Sequence, residues 1–189
     1  MAELKVLVEG YAREIDGGWI ASSTATLIKS NGKNIVVDPG CSREKLLAAL
    51  ANEGLTVSDI DFVVLTHDHI DHILLAGIFE NARVITADEI YDGDKQVEHN
   101  NTVPGTELEL IQAPGHSTEH IVVKVPTAEG TYIVAGDVFW WVEGEGQSMG
   151  LDYADPVARD MATLAASRKK VLELADFIVP GHGKIVKVK

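Results

Sequence analysis

Phe62-Val63-Val64-Leu65-Thr66-His67-Asp68-His69-Ile70-Asp71-His72 joins a short apolar run to a crowd of metal-binding side chains. Branched and aromatic residues at 62–65 suit a strand buried on both faces, so the polar cluster begins where that strand ends. His67 and His69, two apart, can point the same way while the backbone stays extended, and Asp71 and His72 follow on the turn into Ile73-Leu74-Leu75-Ala76. Three imidazoles and a carboxylate this close are costly to bury unless a cation neutralises the acid and takes up the ring lone pairs. A divalent metal does both. Imidazole and carboxylate donors without cysteine suit zinc first, with iron or manganese as alternatives.

Around this stretch, 189 residues are expected to form one domain, 1–189, burying roughly 70% of the unfolded surface. No apolar run approaches the roughly 20 residues of a membrane span, and Met1-Ala2-Glu3-Leu4-Lys5 opens too polar a segment for a signal peptide; the expectation is a soluble, cytoplasmic protein. Cys41 is the only cysteine, which excludes a cysteine-rich zinc site and an intramolecular disulfide. Acidic residues outnumber basic ones 29 to 16, a formal charge of −13 that repels a phosphate backbone and disfavours a long nucleic-acid footprint. The oligomeric state is left open, a homodimer being one arrangement it allows.

Along the chain, residues 4–10 read as a first strand and the Gly-containing segment 11–18 as a loop. Thr24 to Lys29 and Asn34 to Asp38 flank Asn31-Gly32, a hairpin turn signal. Leu46, Leu47 and Leu50 give a helix over 42–52 that Gly54 stops. Strands follow at 61–65 and 83–86, and 87–107 reads as polar and irregular. Further strands are expected at 108–111, 121–125 and 131–135. Asp155-Pro156 reads as the N-cap and first position of a long helix running to about Leu174, with strands at 177–179 and 185–188 closing the chain. Periodicity alone gives a mixed α/β domain without repeats.

His-x-His-x-Asp-His after a strand resembles the signature of the metallo-β-lactamase superfamily. Pro114-Gly115-His116, Ala135-Gly136-Asp137 and Pro180-Gly181-His182 supply its remaining signatures in order. The resemblance spans essentially the whole chain and implies an α/β (α+β) fold, the four-layer αββα sandwich of two mixed β-sheets with helices on the outer faces. It implies two metal sites, one held by His67, His69 and His116, the other by Asp71, His72 and His182, with Asp137 bridging them. Two metals would lower the pKa of a shared water toward roughly 7 and so supply hydroxide. Asp71 would orient that hydroxide and pass on a proton. Asp38 and His120 match positions that support ligands from behind. Trp140, within Phe139-Trp140-Trp141, could line the pocket or lie under the following helix, and Lys184 could hold an anionic group or sit at the surface. Glycines at 115, 136 and 181 would remove bulk beside the metals. His99 is expected to be solvated.

The segments 134–139, 167–172 and 179–183 are most similar to one branch of the superfamily, which implies cleavage of an RNA phosphodiester with slow turnover of β-lactams or other esters. A small-molecule ester-type substrate or a short RNA is therefore the expected partner. A thioesterase similar to glyoxalase II is the alternative, and a mono-iron oxidoreductase similar to persulfide dioxygenases is another. Flavodiiron proteins are disfavoured, because they replace the second histidine of the motif by glutamate and this chain has His69.

Overall fold

The computed structural model describes residues 1–189 and arranges them as two mixed sheets packed face to face. In chain order the elements are β1 (Glu3–Val8), β2 (Tyr11–Ile15), β3 (Gly18–Ser22), β4 (Ala25–Ser30), β5 (Lys33–Val37), α1 (Arg43–Asn52), β6 (Phe62–Val64) and α2 (Ile70–Ile73). The second half supplies β7 (Arg83–Ile85), β8 (Glu89–Asp92), β9 (Lys95–Glu98), β10 (Glu109–Gln112), β11 (Ile121–Thr127), β12 (Gly130–Trp140), α3 (Met161–Leu174), β13 (Phe177–His182) and β14 (Val186–Lys187). One sheet runs β1-β4-β5-β6-β7-β8-β9, the other β10-β11-β12-β13-β14, and β2-β3 stands apart as a hairpin.

Alternation along the strands builds the layers. Ile35, Val37, Phe62 and Val64 of the first sheet meet Ile121, Val123, Val125 and Val134 of the second in a central core. Their neighbours Val36 and Val63 face the other way, onto Leu46 and Leu50 of α1. On the far side Val122, Ile133 and Ile178 pack against Leu164 and Val171 of α3. Helix, sheet, sheet, helix is the αββα sandwich that the resemblance implied.

Two hairpins correct the sequence reading. Residues 11–18 are not a loop, since Ile15 pairs with Gly18 across Asp16-Gly17, where Gly17 has φ 75°. Likewise 87–107 contains β8 and β9, with Asp92 paired to Lys95 across Gly93 and Asp94. Asp16-Gly17 and Gly93-Asp94 were the available turn signals, and the largely exposed strands lack the apolar alternation that marks a buried one. The long helix also starts later than expected. Asp160, not Asp155, is its N-cap, accepting from Thr163 N at 2.7 Å. Residues 155–160 are tied instead to the loop before β11, where Arg159 N donates to His116 O and Asp160 N to Gly115 O.

That tie leaves no room at Gly115. It sits at φ 131°, and a Cβ there would lie 2.3 Å from the backbone nitrogen of Leu164 in α3. The glycine thus clears the helix, not the metal cluster as the sequence reading expected. Gly115→Ala should cost roughly 2–4 kcal/mol of stability through overlap and strained backbone together, read as a lower denaturant midpoint. A midpoint equal to the parent's would contradict this packing.

Candidate metal centre

Four ends of structure converge at one edge of the sandwich. The β6 end and α2 bring His67, His69, Asp71 and His72, and the loop between β10 and β11 brings His116. Asp137 lies within β12, where the pairing with β13 shifts register between Val134 and Gly136 and again before Trp140. Such an irregularity re-aims side chains beside a site, and Gly136, at φ 48°, makes it sterically accessible. His182 ends β13. A Cβ on Gly181 would fall 1.8 Å from Asp137 Oδ1, so this glycine does clear the cluster, as expected.

The donor atoms form two groups. One atom each from His67, His69, His116 and Asp137 lie within 4.8 Å of one another, as do those of Asp71, His72 and His182. Asp137 stands between them. Its Oδ2 is 3.3 Å from His116 Nε2 and 3.8 Å from His67 Nε2, while Oδ1 is 3.2 Å from His72 Nε2 and 3.6 Å from His182 Nε2. Asp71 Oδ2 is 3.2 Å from His182 Nε2.

Behind the rings, hydrogen bonds fix which nitrogen carries the proton. His72 Nδ1 donates to Asp38 Oδ2 at 2.8 Å. The same oxygen accepts from the Thr66 hydroxyl at 2.7 Å, and that hydroxyl in turn accepts from His67 Nδ1 at 3.0 Å. His116 Nδ1 donates to Asp155 Oδ2 at 2.7 Å. His182 Nδ1 faces two carbonyls, Tyr11 O and Ser22 O, each at 3.1 Å. Four histidines therefore turn Nε2 inward, toward the Asp137 carboxylate. The Nε2 atoms of His67 and His72 and Oδ1 of Asp137 are fully buried without a hydrogen-bond partner. Buried polar atoms rarely stay unmatched, and lone pairs converging on carboxylate oxygens fit a bound cation.

Without one, carboxylates and imidazoles compensate each other. Burial pushes His182 down, yet Asp137 and Asp71 hold it up at about 9, and Asp137 with Asp38 raises His72 well above the usual histidine value against its burial. Burial would raise Asp137, but His72 and His182 keep it well below the carboxylate range. Burial lowers His67, aided by the neighbouring His72.

Of the supporting residues expected from sequence, Asp38 sits behind His72 and Thr66 at φ 48°. His120, driven down to about 3 by burial and by His116, accepts from Asp137 N at 3.2 Å and stacks on His67 at 4.8 Å. Trp140 lines the cleft of about 210 Å3 with His69, Asp71, Asp137 and His182, while Phe139 and Trp141 are buried on the side of α3. Lys184 is exposed and lines a different cavity, past Trp141. His99 is half-buried and lies outside the cluster, bonding Thr86 O at 3.1 Å. Sequence reasoning missed Asp155, Thr66 and Trp19. Trp19 sits on β3, meets Trp140 edge-on at 5.9 Å and forms a cleft wall.

The family model described as the metallo-beta-lactamase superfamily matches residues 19–100. Metallo-beta-lactamase domain-containing protein 1 of Xenopus laevis is 32% identical over 188 residues, covering 94% of this chain and 78% of its own. Its Homo sapiens namesake is 39% identical over 161 residues, 79% of this chain; the matched part is 58% of that protein's length. Among solved structures, a metallo-beta-lactamase family protein of Thermus thermophilus superposes with a TM-score of 0.65 at 19% identity, over 97% of this chain and 74% of its own.

Proposed function

The chain belongs to the metallo-beta-lactamase superfamily and is a metal-dependent hydrolase, and from that premise we propose that it holds two divalent cations and cleaves an ester-type bond in a small molecule. The observation that carries this reading is Asp137, with one carboxylate oxygen turned to each donor group. His67, His69 and His116 would hold one cation, Asp71, His72 and His182 the other, and Asp137 both. Zinc suits this oxygen and nitrogen set first, with iron or manganese as alternatives.

When bound, such a pair supplies hydroxide near neutral pH and polarises the bond under attack. The chain's own residues do the rest. Asp71, the carboxylate of the cluster that keeps partial exposure, opens onto the cleft beside His182. Burial would raise it, but His182 and His72 hold it below the usual carboxylate value, so it stays ionised, an acceptor that aligns the attacking water and moves its proton toward the leaving group. Trp140 and Trp19 form one apolar wall of the cleft.

Asp155 acts through His116. Asp155→Ala would strand a buried Nδ1–H and free the ring to turn, so metal affinity should fall roughly 10- to 100-fold, with Asp155→Asn losing less because its carbonyl still accepts. Competition with a chromophoric chelator measures this; equal affinity in both variants would contradict the assigned role. Metal uptake should also release protons. With His182 held at about 9, its ring carries an extra proton at neutral pH in the metal-free chain, so binding should expel at least one per chain, with the raised His72 acting in the same direction, and should weaken as pH falls. Calorimetry in buffers of different ionisation enthalpy reads the number, and a value near zero would contradict it.

The reaction itself is tested with a thioester, a carboxylic ester, a β-lactam and a phosphodiester reporter offered to the zinc-loaded protein. Preference for one carbon-centred ester supports the proposal, and preference for the phosphodiester would favour the RNA reading. Oxygen uptake with one iron per chain and no hydrolysis would replace it by the oxidoreductase alternative.

A further inference from the structure

Trp19 and Trp140 are walls of two spaces at once. On one side is the cleft with Asp71, Asp137 and His182; on the other is a larger cavity of about 540 Å3 that also has Trp141, Tyr153, Glu14 and Glu145 in its lining. Trp19 is 41% exposed, its edge-on contact with Trp140 leaving part of the indole open to solvent on the β2-β3 hairpin beside this larger space. No lysine, arginine or histidine lines this larger space.

Its charge has one sign. The Tyr153 hydroxyl donates to Glu145 Oε2 at 2.6 Å, which fixes that carboxylate against the aromatic wall. Hydrogen bonding to Glu145 pushes Tyr153 up to about 12, so the phenol remains a neutral donor. Arg13, the nearest cation along the hairpin, is turned away and bonds Glu143 through Nε at 2.8 Å and Nη2 at 2.6 Å. Glu14 forms no ion pair and remains free to meet a cation. Electron-rich rings beside carboxylates that have no cationic partner attract a positive group and repel a phosphate.

Resting on the hydrolase reading for the scissile end, we propose that this cavity is a subsite for a quaternary or protonated amine carried by the substrate beyond the Trp19–Trp140 wall. The bond to be cleaved then lies in the cleft, and the cationic end rests among Trp19, Trp140, Tyr153, Glu14 and Glu145. Substrates of this class are small cationic esters or thioesters, and an RNA would set its phosphates against two carboxylates.

Choline and its uncharged isostere 3,3-dimethylbutan-1-ol, titrated against tryptophan fluorescence of the full chain, separate binding from turnover. Choline should bind at least roughly tenfold more tightly. The exposed pair Glu14→Gln/Glu145→Gln should bring that ratio near one without changing the thermal midpoint, and Trp19→Ala should weaken choline several-fold. Equal binding of the two probes, an undiminished preference in the double variant, or no saturable response to choline would each overturn the subsite. Acetylthiocholine and 3,3-dimethylbutyl thioacetate then repeat the comparison as substrates. Choline preference without turnover of any ester would sink the hydrolase reading alone, whereas ester turnover with equal probe binding would sink the subsite alone.

Discussion

Asp137→Ala is expected to lose both metals and activity in one step, leaving well under a tenth of the parent's metal content and at least a thousandfold less turnover, on the order of what removing a key charge-stabilising group costs. The reason is geometric. Four histidine nitrogens lie 3.2 to 3.8 Å from its two oxygens, two from each donor group, so one substitution removes a ligand from both. In the metal-free chain the same carboxylate compensates His72 and His182, and its loss leaves buried imidazolium charge unmatched, a cost of roughly 3–5 kcal/mol. Asp137→Asn keeps the volume against Gly181 and separates the two effects: its packing should survive while metal content still falls. Retained metal and turnover in Asp137→Ala would remove the basis of the two-site account.

The second large effect is expected at Asp71. Asp71→Asn keeps the side-chain volume, and its backbone carbonyl still accepts from Ser23 N at 3.0 Å, so the fold should be undisturbed. What changes is charge beside His182, 3.2 Å away, in the group that has only three donors besides Asp137. That group should lose its cation while His67, His69 and His116 keep theirs. Turnover should fall roughly 100- to 10,000-fold, the range for losing a positioned proton acceptor. Metal content near one per chain with most activity gone is the expected pair of readings. Two metals with full activity would assign Asp71 no part in the chemistry.

How much of this could be read from residues differed by the kind of interaction involved. The ligand candidates were legible because metal binding needs particular side chains at particular spacings, and four ordered signatures left few alternatives. The sandwich itself came from resemblance, since apolar strands at 35–37, 62–64 and 121–125 are equally at home in other mixed folds. Asp155 was misread for a physical reason. Asp-Pro is a sound helix-start signal, but two hydrogen bonds to residues 115 and 116 hold the following segment out of the helix and leave the carboxylate to His116. Nothing local in sequence reports a partner 39 residues away. The support behind His182 was beyond reach in another way, because it comes from the carbonyls of Tyr11 and Ser22, which every residue type carries. Trp19 was passed over because it lies just past the segment 11–18 read as a loop and on a largely exposed hairpin, yet an indole next to an Asp-Gly turn had the chemistry to be noticed.

The most direct test of the account is metal stoichiometry by elemental mass spectrometry on the full chain, stripped with chelator and then reloaded with zinc. Two bound ions per chain, about one in Asp71→Asn and almost none in Asp137→Ala, is the result that two donor groups joined by one carboxylate require. One ion or fewer in the unaltered chain, at zinc in excess, would contradict it.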